Sequence, residues 1–298
     1  MAAAQGDPPA VARQRVRRSL RRFRDATALS QGDVAKKLGW SLSKMQRIEG
    51  GEVGVSVTDL RALLDVYGIT DKAEIDGLSR DARTSRRQRY ETAPAHREYL
   101  TPGHRELMQF EKQAVAIRAY QPVVYPAVIQ TSAIAEAVIS RWTEDEDARR
   151  VRHEARLERK AQIIDRPDGP EYYVVLDEAV IKRRFAGLAA TAEQLELTTQ
   201  IAQLPNVHIR MVPLDRGADM VVMGSFIIVD LVGDDESVIV YRENFNKDEI
   251  LDSRPDVGLH RAAFDRLWTI SLTEEVTTRA LVAEAAALRS TLERDGRR

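Results

Sequence analysis

The sequence predicts an α+β protein, with an all-α domain of five helices over residues 11–83 and a larger mixed α+β domain over residues 104–298. In the first domain, apolar residues recur every three or four positions between polar caps and glycines, which is a helical pattern. In the second, short apolar runs such as EYYVVLD (171–177) stand between amphipathic patterns and predict strands. Residues 84–103 are polar and basic, contain two prolines and lack periodicity, so we expect a linker there.

The composition limits the class of protein. The chain has 298 residues, 43% of them hydrophobic and 31% charged, which suits roughly two soluble domains. It contains no cysteine, which excludes a disulfide framework, a thiol nucleophile and a thiolate metal site. No apolar run approaches the ~20 residues of a membrane span, and the first ten residues lack the apolar core of a secretory signal. We therefore expect a cytoplasmic protein with no membrane partner.

The net charge of −1 hides an asymmetry between the two parts of the chain. Residues 1–90 hold 18 Lys and Arg against 11 Asp and Glu, a charge of +7, whereas residues 91–298 hold 27 against 35, a charge of −8. Within residues 12–47 there are 11 basic and 2 acidic side chains. This distribution predicts a polyanion-binding head joined to a body that does not touch the polyanion.

The first helix is predicted over residues 11–28, where Val16, Leu20 and Phe23 recur at i, i+4 and i+7 as its buried stripe. Five basic side chains surround that stripe: Arg13, Arg17, Arg18, Arg21 and Arg22. The fourth and fifth helices are predicted over residues 56–67 and about 71–82 from the same apolar spacing.

Residues 29–51 predict two short helices joined by a tight turn. Ser30 precedes the first helix as an N-cap, and Gly39 can take the left-handed conformation that ends it. Ser41 then caps a second helix over about 41–49. The helix that follows Ser30 has one apolar face, made by Val34, Ala35 and Leu38.

The second of these helices has two different faces. Met45 and Ile48 point inward, and we expect Leu42 to share that side at the start of the helix. The outward face carries Ser43, Lys44, Gln46 and Arg47. Short polar, amide and cationic side chains on one exposed face suit base edges and phosphates in a DNA major groove.

Individual roles follow from side-chain chemistry. Gln31 begins the first helix of the pair and is predicted to bind a phosphate through its amide and the helix N-terminus. Ser41 and Lys44 are further phosphate candidates, whereas Ser43 and Gln46 are predicted base readers. Arg47 suits either a base or a phosphate. The complete predicted DNA-binding set is Gln31, Ser41, Leu42, Ser43, Lys44, Gln46 and Arg47.

The N-terminal pattern resembles the phage repressor and Cro-like (XRE-type) helix-turn-helix family over roughly residues 15–67. The residues that carry the resemblance are Gln31, Ala35, Gly39, Ile48, Glu49 and Gly51. The resemblance implies a five-helix DNA-binding domain. It also implies an ion pair between Arg24 and Glu49, because these residues hold family positions that usually pair between the first and third helices.

The second domain is predicted from a mixture of patterns. Leu107, Phe110, Ala114 and Ile117 predict a helix to about residue 119, and a proline-broken extended segment follows over 120–131. Strands are predicted at 171–177, 206–214, 224–231 and 237–244, and helices at 131–141, 145–164, about 178–185, 191–204 with Thr191 as its cap, 255–271 and 273–293.

This region resembles the C-terminal domain of unknown function found in actinobacterial XRE-type regulators, often labelled antitoxin-like, over about residues 104–290. The matching segments are AYQPVVYPAVIQT (119–131), LDE (176–178), PNVHIRMVP (205–213), GSF (224–226) and VIVYRE (238–243). Ala127 and Val128 replace the usual Gly-Leu, and because Ala disfavours a left-handed turn we expect a straighter segment. The resemblance implies a regulatory or partner-binding domain without identifying a ligand.

Motifs for enzymatic chemistry are missing from the sequence. There is no G-x-x-x-x-G-K-[ST] loop, no G-x-G-x-x-G and no G-x-S-x-G elbow. The five histidines are scattered, the acidic run at 144–147 suits a helix start, and Asp177 suits an N-cap. We therefore expect no catalytic residue, no metal and no cofactor.

These observations are compatible with three functions. The first is a transcriptional regulator that binds double-stranded DNA as a homodimer and whose second domain senses a small-molecule effector or a small regulatory protein. The alternatives are the antitoxin of a toxin–antitoxin-like pair and an enzyme with a DNA-targeting head. Leu281, Ala285 and Leu288 recur at i, i+4 and i+7 near the C-terminus, and they pack either inside the domain or between copies.

Overall fold

The computed structural model describes residues 7–86, 93–216, 223–233, 237–243 and 248–295. The chain divides between Ala93 and Pro94 into two compact units, called here the N-terminal unit and the C-terminal unit. The first is all-α and the second is mixed, so the predicted α+β class is confirmed.

Five helices build the described part of the N-terminal unit: α1 (Pro9–Ala26), α2 (Gln31–Leu38), α3 (Leu42–Gly50), α4 (Val57–Val66) and α5 (Lys72–Ser85). Its core contains fully buried side chains from α1, α3 and α4, among them Leu20, Met45 and Leu60. The helix α1 begins two residues before its predicted start, because Pro9 fits a first turn that needs no backbone donor.

The C-terminal unit alternates helices and strands. Its elements are α6 (Pro94–Tyr99), α7 (Pro102–Glu111), β1 (Ala114–Gln121), a 3-10 turn (Ala127–Ile129), α8 (Ser132–Ile139), α9 (Glu146–Ile163), β2 (Glu171–Asp177), α10 (Glu178–Lys182), α11 (Gly187–Ile201), β3 (Val207–Val212), β4 (Phe226–Leu231), β5 (Val238–Glu243), β6 (Asp248–Leu251), α12 (Arg254–Ile270) and α13 (Glu274–Asp295). Among the described residues, no helix is both long and apolar enough to cross a bilayer.

The six strands form one mixed sheet in the order β3-β2-β1-β4-β5-β6. The strands β1, β2 and β3 are parallel, and helical crossovers connect them, whereas β4, β5 and β6 are antiparallel. Phe264 and Leu267 of α12 pack against one face of the sheet, where they meet Tyr120 and Val175. At one edge of the sheet, α13 lies beside β3 and packs against α11.

The helix predicted to extend to about residue 119 is wrong in its second half. The helix α7 ends at Glu111, and β1 begins at Ala114. In the sequence, the spacing of Ile117 from Leu107 and Phe110 fits one face of a helix. In the structure, however, Ile117 lies in a strand between β2 and β4, which satisfy its backbone hydrogen bonds on both sides.

Other local differences have simple causes. Thr191 does not cap a helix, because α11 already begins at Gly187 and the Thr191 hydroxyl donates to the Gly187 carbonyl at 2.8 Å. The four-residue edge strand β6 was not predicted, since DEIL shows no clear alternation. Within the predicted linker 84–103, α6 forms a helix that packs on α9 through Tyr99, and residues 87–92 lie outside the described residues.

Candidate nucleic-acid interface

Serine side chains cap the starts of α2 and α3, and a glycine ends α2. The Ser30 hydroxyl accepts from the Asp33 backbone N–H at 3.1 Å, and the Asp33 carboxylate accepts from the Ser30 N–H at 3.0 Å, which completes a capping box. Hydrogen bonds from the Ser30 side chain and backbone lower the pKa of Asp33. Gly39 ends α2 with φ 66°, a left-handed conformation that a side chain disfavours. The Ser41 hydroxyl accepts from the Lys44 N–H at 3.2 Å and starts α3.

The helix α3 has a buried face and an exposed face. Met45, Ile48 and Glu49 are buried, with exposed fractions of 0%, 4% and 2%. The exposed residues of the predicted DNA-binding set are Ser41, Leu42, Ser43, Gln46 and Arg47. The inward position expected for Leu42 is wrong, since 47% of this residue is exposed at the first turn of α3.

Lys44 lies at the border between the two faces. Its Nζ is 3.7 Å from the centroid of the Trp40 ring and 3.2 Å from Asp59 Oδ1. Trp40 itself is partly buried against the core of the unit. A phosphate that binds Lys44 therefore competes with the Asp59 carboxylate for an ammonium group that already contacts the Trp40 ring and α4.

Arg47 is held more loosely. Its Nε is 3.6 Å from Glu52 Oε2, and the two side chains are 55% and 70% exposed. An exposed pair of this kind contributes little, about 0–1 kcal/mol, so the guanidinium remains available to another acceptor. Either predicted role for Arg47, base or phosphate, is compatible with this position.

Glu49 connects α3 to the two preceding helices. Its Oε1 accepts from Arg24 Nε at 2.7 Å, and its Oε2 accepts from Gln31 Nε2 at 2.7 Å. The hydrogen bond with Glu49 raises the pKa of the Arg24 guanidinium and outweighs the opposing effect of burial. The structure thus brings Arg24 and Glu49 together, as the family resemblance implies.

The same contact changes the expectation for Gln31. One N–H of its amide is committed to Glu49, so only the second N–H is left for a phosphate. The amide is also oriented by the buried carboxylate. Sequence reasoning did not anticipate this contact, because nothing local to Gln31 indicates a partner 18 residues away.

Two arginines of α1 cap the opposite end of α3. Arg17 Nη1 donates to the Gly50 carbonyl at 3.0 Å, and Arg21 donates to the Glu49 carbonyl. The last carbonyls of a helix have no partners within the helix, and a cation there is favourable for its dipole. The sequence identified these arginines only as basic neighbours of the α1 stripe, although their i, i+4 spacing places them on one face.

Two further arginines of α1 form ion pairs with acidic side chains of α5. Arg15 lies 3.1 Å from Asp81, and Arg22 lies 2.7 Å from Glu74. Burial raises the pKa of Asp81, against the lowering effect of Arg15. Part of the positive charge counted in the sequence is therefore neutralised within the unit, and the electrostatic footprint is smaller than the residue count indicates.

In the C-terminal unit, the motif segment that resembles the regulator family is anchored from within. Fully buried Gln194 accepts from the Thr131 N–H at 2.7 Å and donates to the Ile129 carbonyl at 2.7 Å. Gln130 in turn donates to the Tyr125 carbonyl at 2.7 Å. In the segment where Ala127 and Val128 replace the family's Gly-Leu, Ala127–Ile129 forms a 3-10 turn and neither residue is left-handed. Across the described residues, no group of three or more His, Asp or Glu side chains is arranged to hold a metal ion.

Two family models match the chain. A helix-turn-helix domain matches residues 15–78, from α1 into α5, and a domain of unknown function (DUF5753) matches residues 104–283, which is more than half of the chain. No curated protein and no solved structure matches. These matches confirm the resemblance of both domains and identify the N-terminal unit as a DNA-binding helix-turn-helix domain.

Proposed function

This chain belongs to the family of proteins with the domain of unknown function DUF5753, and from that membership and its helix-turn-helix domain we propose that it is a sequence-specific transcriptional regulator rather than an enzyme. The observation that carries the proposal is the exposed polar face of α3. Met45 and Ile48 anchor the opposite face of that helix in the core, and arginines of α1 hydrogen-bond to the carbonyls at its C-terminal end. These contacts fix the position of α3, so its exposed side chains can meet a ligand in a defined arrangement.

The chemistry of that face fits duplex DNA. In the major groove, the Gln46 amide can pair with N6 and N7 of adenine, and the Arg47 guanidinium with O6 and N7 of guanine. Ser43 adds a hydroxyl that serves as donor or acceptor. Ser41, Lys44 and the second N–H of Gln31 lie toward the N-terminal end of α3 or on α2, where phosphate contacts position a recognition helix.

The C-terminal unit is proposed to supply dimerisation and sensing. A single small head contacts few base pairs, and helix-turn-helix proteins reach specificity by binding two half-sites about one helical turn apart. The C-terminal unit is the larger of the two and contains the sheet, which gives it the surface for a second copy and for an effector or small protein partner. The segment anchored by Gln194 lies in this unit.

The proposal is tested by selection of bound duplexes from a random DNA library with the full-length chain. We expect enrichment of two related half-sites separated by about one helical turn, ~10 base pairs. Gel shifts with the selected duplex and with a scrambled one then measure the specificity ratio. Equal affinity for both duplexes would contradict sequence-specific recognition.

A further inference from the structure

Leu42 is an exception in the N-terminal unit. Among residues 7–86, it is the one large hydrophobic residue that is substantially exposed, at 47%. Other apolar side chains near the turn, including Leu38, Trp40 and Val53, pack at least partly against the core. Within the N-terminal unit, therefore, much of the Leu42 side chain is not covered by other residues.

The position of Leu42 places this apolar group on the face proposed to meet DNA. It is the first residue of α3, directly after the Ser41 cap. Gln46 follows at i+4, so the two exposed side chains stand one above the other on the helix. In helix-turn-helix proteins the N-terminal residues of the recognition helix reach the base edges.

We propose that Leu42 reads thymine by packing against its C5-methyl group, within about two base pairs of the base that Gln46 reads. This inference rests on the proposed DNA-binding function. The thymine methyl is the apolar group that the bases present in the major groove. Four residues of helix rise by about 6 Å, and successive base pairs are separated by about 3.4 Å, which sets the expected spacing.

The chemistry also explains how Leu42 discriminates against other bases. Cytosine presents an N4 amino donor in this part of the groove and has no methyl group. A leucine packed there removes water from that donor without offering an acceptor, which is unfavourable. Leu42 thus adds an attraction to thymine and a penalty for cytosine at one base pair.

Replacement of thymine by deoxyuracil tests the contact, because it removes the methyl group and leaves the base-pairing edge unchanged. In the selected operator, each thymine is replaced in turn and the affinity of the full-length chain is measured. We expect about a fourfold loss at one thymine in each half-site, the value for one buried methyl group. For L42A, the affinities for thymine and deoxyuracil should be equal at that position.

Two variants serve as controls. L42M replaces the branched leucine by an unbranched apolar side chain of similar volume and should retain the preference for thymine. L259A shortens an exposed leucine of α12 in the C-terminal unit, 60% exposed, and should retain the full fourfold effect. Because Leu42 is not packed in the core, L42A is expected to fold and to bind the same operator with an unchanged salt dependence.

The outcomes separate this inference from the proposed function. A thymine preference that persists in L42A, or wild-type binding that is insensitive to deoxyuracil at every position, overturns the role of Leu42 while leaving specific DNA binding intact. Failure of the selection to enrich any sequence overturns the proposed function and this inference together.

Discussion

At the scale of single residues, the buried carboxylate of Glu49 decides how three helices meet. It belongs to α3, accepts from Arg24 of α1 through one oxygen and from Gln31 of α2 through the other. Both contacts are 2.7 Å, and Glu49 is 2% exposed. A buried pair of this kind need not exceed its desolvation cost, but the loss of one partner leaves an uncompensated charge.

Glu49→Ala should therefore lower the free energy of unfolding of the N-terminal unit by about 3–5 kcal/mol, the range for breaking a buried ion pair. Denaturation of a 1–93 fragment can be followed by the fluorescence of Trp40, its single tryptophan. In a double-mutant cycle with Arg24→Ala, the two effects should be strongly non-additive. Additive effects would show that the two side chains are not energetically coupled.

At the scale of elements, the exposed face of α3 is the proposed recognition surface. Gln46→Ala and Arg47→Ala should each weaken binding to the selected operator by roughly 1–3 kcal/mol and relax the preference at one base pair. Gel shifts against operators changed at single positions measure both effects. Should both variants keep the wild-type affinity and preference, these residues are not base readers.

The variants also separate the two roles open to Arg47. A base contact predicts relaxed preference at one position, whereas a phosphate contact predicts weaker binding to every sequence. Arg61→Ala, which removes an exposed arginine from α4, is a matched control for the loss of one positive charge.

The 3-10 turn Ala127–Ile129 depends on a side chain from another element. Gln194→Leu leaves the Thr131 N–H and the Ile129 carbonyl without their partner in a buried site. Each unsatisfied group costs about 1–3 kcal/mol, so the C-terminal unit should unfold at a clearly lower denaturant concentration. Gln200→Leu, an exposed position on the same helix, is the matched control and should have a small effect. Equal effects of the two changes would rule out the anchoring role.

At the scale of the whole molecule, the electrostatics of DNA binding depend on how many cations are free to meet phosphates. At least five of the eleven basic residues in 12–47 contact groups within the N-terminal unit and lie outside the proposed DNA-contacting set: Arg15, Arg17, Arg21, Arg22 and Arg24. The slope of log K against log salt should therefore be well below the value of about 10 expected for eleven neutralised phosphates.

Lys44→Gln should reduce the magnitude of that slope by about 0.9, the value for one phosphate contact. Arg22→Gln removes a cation of α1 that pairs with Glu74 of α5 and lies outside the proposed DNA-contacting set, so it should leave the slope unchanged. Binding constants measured at a series of salt concentrations decide between the two. A slope near zero for the wild-type chain would contradict a head that contacts phosphates.

Assembly is the second property at this scale. We expect the C-terminal unit to dimerise without DNA and the isolated N-terminal unit to be monomeric, with weaker DNA binding. Of the two positions that the sequence left open for Leu281, Ala285 and Leu288, the structure shows the internal one: they are buried within the unit, where α13 packs against α11. The expected pairing of two copies would therefore use another surface. Leu281→Ala should accordingly lower stability by about 2–5 kcal/mol without dissociating the dimer.

Sedimentation of the full-length chain and of the two fragments at tens of micromolar measures this directly. A monomeric C-terminal unit would contradict the expectation. So would an N-terminal fragment that binds the operator as tightly as the full-length chain.

Features that depend on neighbouring residues could be predicted from the amino-acid sequence alone. The Ser30 and Ser41 caps, the left-handed Gly39 and the inward Met45 and Ile48 all follow from contacts within one turn of helix, and the structure places each as predicted. The same local information identified most strands of the C-terminal unit, because alternation and β-branched composition are properties of short segments.

Features that depend on residues distant in sequence became apparent in the folded structure. The backbone of β1 is a strand because β2 and β4 flank it, although Ile117 fits the helical spacing of the preceding segment. Arg17 caps a carbonyl 33 residues away, and the Gln31 amide is turned toward Glu49 rather than left free. Leu42 stands three residues before the buried Met45, a spacing that suits the same helix face, yet it lies outside the core. Packing between elements sets these outcomes, and a local pattern does not record which elements will meet.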